Sequence, residues 1–440
     1  MNIEELKALL RENGVVGAGG AGFPTYAKLD KRADTLILNC AECEPLLRLH
    51  RQLLKTYTHE ILSTLYEISK ILEIETVYVG IKGSYKRTLA AVEAELDSFP
   101  NMKVCTLPEV YPAGDEVVLT YEATGRVVPP GSIPLSVGVT VINVETVYNV
   151  YKAIEGSPVT HKYVTVTGEV KSPVTLYVPI GTTVDKLIEC AGGATIKDPA
   201  LIMGGPMMGK LVTVGDVVTK TTNAILVLPK ELPLVQKKLT KTSIDIRRAM
   251  SACCQCSYCT SLCPRNLLGH PIDPSGFMLA ASTNVTNDTK PYLNSAFCSG
   301  CGLCELYSCS QGLSPRTLLT ATKMGLQKNG IKPAPTEGKP VHPHRDLRMI
   351  PLSRLRSHLG LDPYNVSAPM NEDAIKVKRL KIDLSQHIGA PAVAVVKKGD
   401  TVKAGQVIAA AKENALSVCI HAPLDGKVSE VTDKRITITI

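Results

Sequence analysis

The sequence predicts a chain of several domains: an α/β domain, a β-rich module, a cysteine-rich segment and an all-β domain at the end. Three observations lead to this fold class. The chain has 440 residues, and at roughly 150 residues per domain it is too long for one core. Buried strands alternate with helical segments to about residue 150, which is typical of α/β layers. Nine of the 14 cysteines fall between Cys253 and Cys309.

The N-terminal α/β domain is predicted over residues 1–155. Apolar residues recur at helical spacing in residues 2–13, which predicts a first amphipathic helix. The apolar runs Asp34–Cys40 and Thr76–Ile81 predict buried strands. Arg48–Glu73, between these two runs, has helical periodicity.

A change in composition marks the second module, predicted over residues 156–232. Its segments are rich in Val and Thr, and one short helix is expected around Asp185–Ala191. A glycine-rich turn, Met203–Gly209, lies inside it. This pattern predicts a small β-grasp-like module.

Two further units are predicted after the cysteine-rich domain at residues 236–330. Residues 331–377 are rich in Pro, His and Arg and are expected to form a surface connector with a solvated basic face. Residues 378–440 contain two similar halves, and this tail resembles a barrel-sandwich domain of the biotinyl and lipoyl type. The position expected for a carrier lysine holds Ala415, with Lys412 nearby, so a structural or docking barrel is favoured.

Composition excludes several classes of function. No apolar run approaches the ~20 residues of a membrane-spanning helix, and the acidic, amphipathic start does not resemble a signal peptide. The net charge of +8 is modest, and no dense basic patch with interleaved aromatics suggests nucleic-acid binding. Cysteines crowded into one segment favour metal ligation in a reducing cytoplasm over disulfides.

The cysteine spacing predicts two [4Fe–4S] clusters. The first run has the spacing C-x2-C-x2-C-x3-C-P of bacterial ferredoxins, in which the fourth cysteine ligates the other cluster of a pair. The second run has a longer last gap and no proline. Crossed ligation assigns one cluster to Cys253, Cys256, Cys259 and Cys309, and the other to Cys263, Cys298, Cys301 and Cys304. Cys254 does not fit this spacing and is not expected to be a ligand. The alternative is two structural zinc sites, although zinc favours pairs of C-x2-C hooks separated by longer loops.

The stretch Gly14–Thr25 satisfies the G-x-G-x-x-G pattern through Gly17, Gly19 and Gly22, with Gly20 between them. A dinucleotide-binding loop of the Rossmann type follows a strand and opens a helix, whereas this loop follows a predicted helix. Backbone amides of such a loop can still cradle a phosphate. The loop therefore suggests FMN or a flavin–nicotinamide site; the alternative is a plain flexible loop.

Several motifs carry a family resemblance over nearly the whole chain. They are GAGGAGFPT, NCAECEP at Asn39–Pro45, YPAGDE at Tyr111–Glu116 and INVETVYNV at Ile142–Val150. These motifs resemble the FMN- and NADH-binding subunit of respiratory complex I and, more closely, the RnfC family; the β-grasp stretch resembles the SLBB module of both. RnfC subunits usually carry the barrel-sandwich domain first. Its position at the C-terminus resembles the PduS-type cobalamin reductases of propanediol-utilisation microcompartments.

The resemblance implies roles for individual residues. Gly17, Gly19, Gly20 and Gly22 would wrap the FMN phosphate and ribityl chain, with Asn143 and Thr146 near the phosphate. Lys28 and Asn39 would hydrogen-bond the flavin, and Phe23 would stack on a ring. Glu42 and Glu44 would lie by the nicotinamide and ribose, as the residues of hydride transfer, and Gly114, Asp115 and Glu116 would line the pocket. Ala18, Ala41 and Ile142 depart from the complex I pattern, and these changes bear on NADH more than on the flavin.

The expected function is electron transfer from NADH through FMN and two [4Fe–4S] clusters to cobalamin, from cobalt(III) to cobalt(I), in support of a cobalamin-dependent diol dehydratase. The alternative is an RnfC-like relay subunit whose acceptor is another protein; a non-redox zinc scaffold is a third class. The expected location is the cytoplasm, free or inside a bacterial microcompartment. Expected partners are then a shell protein and the dehydratase machinery.

Overall fold

The computed structural model describes residues 1–285, 287–334 and 336–440. Thr286 of the cysteine-rich segment and Pro335 of the connector lie outside the described residues. The architecture confirms the predicted fold class, with an α/β domain, a β-grasp module, a helical cysteine-rich domain and a C-terminal β domain. Among the residues described, no helix combines the length and the apolar character needed to cross a membrane.

The first domain is built on a four-stranded parallel sheet. Its elements are α1 (Ile3–Glu12), β1 (Thr35–Cys40), α2 (Leu49–Thr56), α3 (Thr58–Ile71), β2 (Thr76–Lys82), α4 (Lys86–Glu93), β3 (Met102–Leu107), β4 (Val110–Tyr111), α5 (Glu116–Thr124), β5 (Val139–Asn143) and α6 (Val144–Ile154). The strand order in the sheet is β3-β2-β1-β5. The chain moves outward from β1 to β3 and then returns to the other side of β1. The strand order therefore reverses between β1 and β5, which is where open α/β sheets bind their ligands.

The β-grasp module forms most of a six-stranded mixed sheet. Its elements are β6 (His161–Gly168), β7 (Val174–Pro179), α7 (Val184–Cys190), β8 (Ala200–Met203), β9 (Lys210–Val212) and β10 (Ala224–Leu228). Alternating Val and Leu side chains of these strands pack against α7 in one buried cluster. The second module thus has a hydrophobic core of its own.

The cysteine-rich domain consists of short helices joined by loops. Its helices are α8 (Pro233–Leu239), α9 (Thr242–Ala252), α10 (Tyr258–Ser261), α11 (Pro264–Leu267), α12 (Pro274–Thr283), α13 (Lys290–Leu293), α14 (Leu303–Leu306) and α15 (Pro315–Lys328). A small core that includes Phe277 and Leu319 contacts cysteines of both runs. Much of the interior is therefore lined by thiols.

Residues 331–377 contain β11 (Ile350–Pro351), α16 (Leu352–His358) and β12 (Met370–Asn371). β11 pairs with β4 of the first domain, and β12 adds to the edge of the β-grasp sheet beside β7. Leu355 on α16 is fully buried. The connector thus packs into the two domains that it crosses, beyond what its composition had suggested.

The C-terminal domain packs two small sheets around one core. Its strands are β13 (Arg379–Asp383), β14 (Val393–Ala394), β15 (Thr401–Val402), β16 (Val407–Ala410), β17 (Ile420–His421), β18 (Gly426–Val431) and β19 (Arg435–Thr439).

This barrel lies against the start of the chain. Arg11 at the end of α1 donates from Nη2 to the Lys412 carbonyl at 2.8 Å, and its own carbonyl accepts from the Cys419 amide at 3.1 Å. The buried Lys220 of the β-grasp module donates to the carbonyls of Gly14 and Cys419, at 2.7 and 2.9 Å. Three domains therefore meet beside the glycine loop.

Candidate functional site

A cleft opens at the carboxyl ends of β1 and β5, where the strand order reverses. Asn39 and Asn143 lie at or beside the ends of these two strands, and the cleft volume is ≈ 290 Å³. The predicted flavin-site residues that line it are Gly17, Gly19, Gly20, Gly22, Phe23, Lys28, Asn39, Glu44, Gly114, Asp115, Glu116, Asn143 and Thr146. Residues from four sequence motifs are thus brought to one cavity.

Glu42 differs from the other predicted residues because it does not line the cleft. Its backbone has φ +28°, its side chain is buried, and its Oε1 accepts from the His50 amide at 3.0 Å. The carboxylate therefore holds the first turn of α2. The structure therefore does not bring Glu42 to the cleft with the other predicted residues.

The glycine loop is shaped by contacts with the end of β5. The Gly17 amide donates to the Phe23 carbonyl, and the Ala18 amide donates to Thr146 Oγ1, both at 2.9 Å. A Cβ built on Gly19 would lie 2.6 Å from Asn143 Nδ2, closer than real Cβ atoms approach. Only glycine lets the backbone come this near to Asn143.

Helix caps orient two walls of the cleft. Asp115 caps α5 by accepting from the amides of Val117 and Val118, at 3.0 and 3.3 Å. Asn143 caps α6 in the same way, since its Oδ1 accepts from the Glu145 amide at 2.9 Å. The N-terminus of α6, capped by a neutral amide, therefore favours an anionic ligand at the cleft, whereas the N-terminus of α5 carries the Asp115 carboxylate.

Polar side chains on the remaining walls are held by hydrogen bonds. Lys28 Nζ forms an ion pair with Glu116 and donates to the Val141 carbonyl at 3.3 Å. Asn39 Nδ2 donates to the Gly114 carbonyl at 3.0 Å. These contacts fix one ammonium and one amide at the cavity wall.

Glu44 joins the cleft to the glycine-rich turn of the β-grasp module. Its two carboxylate oxygens accept from the amides of Met207 and Met208, each at 2.8 Å. Burial raises the pKa of this carboxyl group, and the two amides oppose that shift. A Cβ on Gly205 would lie 2.3 Å from the Glu44 carboxylate, so the turn needs glycine to receive it.

Sequence reasoning missed several lining residues that come from other domains. They are Met208 of the β-grasp turn and Ser299 and Cys301 of the second cysteine run. Tyr111 also lines the cavity, and its hydroxyl donates to the Cys301 carbonyl at 2.6 Å. The motif around Tyr111 and the glycine-rich turn that contains Met208 were sequence signals, whereas nothing local marked Ser299 as a residue of the cleft.

The chemistry of this cleft fits FMN. A glycine cradle and the N-terminus of α6 suit a phosphate, while Phe23, Tyr111 and Ile142 supply apolar walls. Lys28 and Asn39 offer donors for ring oxygens. The residues that line the cleft therefore fit a flavin mononucleotide.

The eight predicted cluster ligands separate into two groups in space. One hollow, here called the distal hollow, is lined by Cys253, Cys256, Cys259 and Cys309; the other, the proximal hollow, is lined by Cys263, Cys298, Cys301 and Cys304. These are the groups given by crossed ligation. Cys254 also lies at the wall of the distal hollow. Within the described ranges, no three His, Cys, Asp or Glu side chains are close enough to share one metal ion.

Burial raises the pKa of thiol groups at each hollow. It raises the pKa of Cys259 and of Cys301 to about 12. Thiolates are the metal-binding form, so iron must displace a proton from each of these side chains. Cluster assembly is then coupled to proton release.

Cys301 lines both the cleft and the proximal hollow. The distal hollow does not share a residue with the cleft, and its Cys254 and Cys256 are exposed. The proximal hollow therefore adjoins the cleft, and the distal hollow lies beyond it, next to the protein surface.

Cys309→Ser should remove about half of the iron and leave the flavin in place, because Cys309 lines only the distal hollow. Iron analysis and the flavin absorbance of the purified variant measure both quantities. Cys254→Ser is the matched control, with both clusters expected intact. Unchanged iron and an unchanged reduced-state spectrum in Cys309→Ser would contradict the ligand assignment.

Comparison with known proteins identifies each domain. The Nuo51 FMN-binding domain matches residues 10–152, the SLBB domain 163–211, the 4Fe-4S dicluster domain 252–314 and the RnfC barrel sandwich hybrid domain 358–439. The dicluster match supports iron–sulfur clusters over the zinc alternative. In a crystal structure of an NAD+-reducing [NiFe]-hydrogenase, 76% of this chain aligns with 63% of the hydrogenase chain, at 18% identity and TM-score 0.50. That likeness concerns the fold alone.

Relatives with curated names match over longer stretches. Cobalamin reductase PduS of Salmonella typhimurium is 38% identical over 100% of this chain and 97% of its own length. PduS of Citrobacter freundii is 38% identical over 99% of this chain and 96% of its own length. One subunit of the proton-translocating ferredoxin:NAD(+) oxidoreductase complex of Clostridium ljungdahlii is 32% identical over 67% of this chain and 62% of its own length.

The fold, the cleft and the cysteine hollows together define a flavin and iron–sulfur electron-transfer reductase. Its sequence aligns with PduS over the full chain. The chain belongs to the PduS family of cobalamin reductases.

Proposed function

We propose that this protein is an NADH-dependent cobalamin reductase. It passes electrons from NADH through FMN and two [4Fe–4S] clusters to cobalamin, reducing cob(III)alamin to cob(I)alamin, and so supports a cobalamin-dependent diol dehydratase. The observation that carries the proposal is the continuity of sites, since Cys301 belongs to the wall of the cleft and of the proximal hollow.

Bound FMN would supply the exchange between two-electron hydride chemistry and single electrons. The protein's part is to bind and orient. The Gly17–Gly22 loop and the N-terminus of α6 would hold the phosphate end. Lys28 and Asn39, fixed by their own hydrogen bonds, would hold the ring end.

The nicotinamide would enter on the side of Phe23 and Glu44. Glu44 already accepts two backbone amides, so its role is to keep the β-grasp turn against the cleft. Glu42 is assigned to the support of α2. Ala18 and Ala41 leave fewer polar contacts for the nucleotide than the complex I pattern provides.

The acceptor end is the exposed rim of the distal hollow at Cys254 and Cys256. Cobalamin would take electrons there. Enclosure in a bacterial microcompartment, with a shell protein and the dehydratase machinery as neighbours, is part of the same proposal and rests on the PduS relationship.

A second candidate is an RnfC-like relay subunit that exchanges electrons with a protein partner. The 32% identity to one component of a proton-translocating complex and the alanines at 18 and 41 favour it. The domain order and the full-length match favour the first candidate.

Anaerobic titration with NADH distinguishes the two candidates. We expect NADH to bleach the flavin absorbance of the purified protein, and added cob(III)alamin then to be reduced without another protein. Flavin that stays oxidised with excess NADH would refute NADH dependence. Bleaching without cobalamin reduction would favour the relay subunit.

A further inference from the structure

An ion pair connects the cleft to the proximal hollow. Arg265 Nη2 lies 2.9 Å from the Asp115 carboxylate, and Arg265 Nε donates to Oδ2 at 3.3 Å. Asp115 lines the cleft and Arg265 lines the proximal hollow. Their side chains are only 11% and 17% exposed, so the pair is weakly screened by solvent.

Both partners are fixed by the local sequence. Arg265 lies in the first turn of α11, two residues after the predicted cluster ligand Cys263, and lines the proximal hollow. Asp115 is held by its capping bonds to α5. Neither side chain can move without disturbing the wall of a site.

The two hollows differ in charge. Arg265 and Arg316 line the proximal hollow, and Lys323 Nζ donates to the Cys298 carbonyl there at 2.7 Å. Of the described residues lining the distal hollow, none is a lysine, an arginine, an aspartate or a glutamate. Two arginines therefore line the proximal hollow and, in the part of the chain that the structure describes, none lines the distal one, where Lys237 Nζ instead donates to the Leu313 carbonyl at 2.7 Å.

We propose that Arg265 raises the reduction potential of the cluster held by Cys263, Cys298, Cys301 and Cys304, and that Asp115 sets how much of this charge the cluster experiences. An added electron makes a cluster more negative, and a nearby cation in a buried setting stabilises that state. The inference rests on the proposed pair of clusters but not on NADH or cobalamin as substrates.

Redox titration with chemical mediators, followed by electron paramagnetic resonance of the reduced clusters, tests this in the full-length holoprotein. Arg265→Gln should lower the potential of the proximal cluster by at least about 59 mV, which is tenfold in the equilibrium constant for one electron. Asp115→Asn should raise the same potential. The Cys309→Ser variant assigns the signals, because only its distal ligand set is changed.

Shifts of opposite sign in the Arg265→Gln and Asp115→Asn variants distinguish an electrostatic effect on the cluster from a purely structural role of the ion pair. Arg435→Gln, which breaks an Arg–Asp pair in the C-terminal barrel, is the matched control and should shift neither cluster. Shifts of equal sign in Arg265→Gln and Asp115→Asn, or no shift in either, would overturn the inference. If the Arg265→Gln variant loses the proximal cluster, the Asp115→Asn variant decides the question. A rise in the reduction potential of its proximal cluster supports the inference, and a fall or no change overturns it. Wild-type protein without iron would instead refute the proposed function.

Discussion

Lys162→Met should lower the free energy of unfolding by about 3–5 kcal/mol. Lys162 on β6 forms an ion pair with Glu145 in the first turn of α6, and both side chains are 1% exposed. Lys162 Nζ also donates to Asn223 Oδ1 at 2.9 Å. Removing the ammonium leaves a buried carboxylate without its partner at the junction of the α/β domain and the β-grasp module. Urea titration followed by circular dichroism measures the loss.

Two controls sharpen this prediction. Lys186→Met breaks an exposed pair with Glu189 and should cost about 0–1 kcal/mol. The double variant Lys162→Met, Glu145→Leu replaces both charges by apolar groups and should recover much of the stability. A double variant as unstable as the single one would show that the packing of Lys162, rather than an unpaired charge, causes the loss.

Gly19→Val should abolish stoichiometric FMN binding, with affinity at least about tenfold weaker, or about 1.4 kcal/mol. A Cβ at this position would lie 2.6 Å from Asn143 Nδ2. Asn143 must then move, and the α6 cap that it provides to the Glu145 amide is lost together with the shape of the cradle. The FMN released from purified protein, measured against its iron, reports the effect.

Gly325→Ala is the matched control, because an added Cβ on this helical glycine meets no atom within 4 Å. It should keep both FMN and iron. Gly19→Val that retains one FMN per chain would contradict the assignment of the loop as the phosphate cradle. Loss of iron together with FMN would point to unfolding rather than to a local change in the cleft.

Local signals in the sequence were sufficient for much of the fold. The apolar run predicted as the strand Asp34–Cys40 forms β1, Thr35–Cys40, because burial on both faces selects a continuous apolar segment. Arg48–Glu73 was predicted as one helical stretch, whereas the structure breaks it at Tyr57. The ring centroids of Tyr57 and Tyr148 are 4.5 Å apart, and the Tyr57 hydroxyl donates to Glu372. Partners this far away in the sequence do not affect the local hydrophobic periodicity.

The candidate site likewise combines features that local sequence predicts with features that depend on distant contacts. Glycine and cysteine spacing identified the loop and the thiol groups, because both depend on residues close together in the chain. The orientation of Glu42 depends on a positive φ and on the His50 amide, which no motif encodes. Ser299 reaches the cleft only because the cysteine-rich domain packs on the first domain.

The contact between the first helix and the last domain bears on how this family diversified. Because Arg11 and Cys419 are hydrogen-bonded neighbours, a barrel attached ahead of α1 could occupy the same place with only a different linker. The barrel-first order expected of RnfC subunits and the order of this chain, with the barrel after the cysteine-rich domain, would then be related by a circular permutation that keeps this contact. A gene rearrangement could therefore exchange one order for the other while the surroundings of the glycine loop stayed the same.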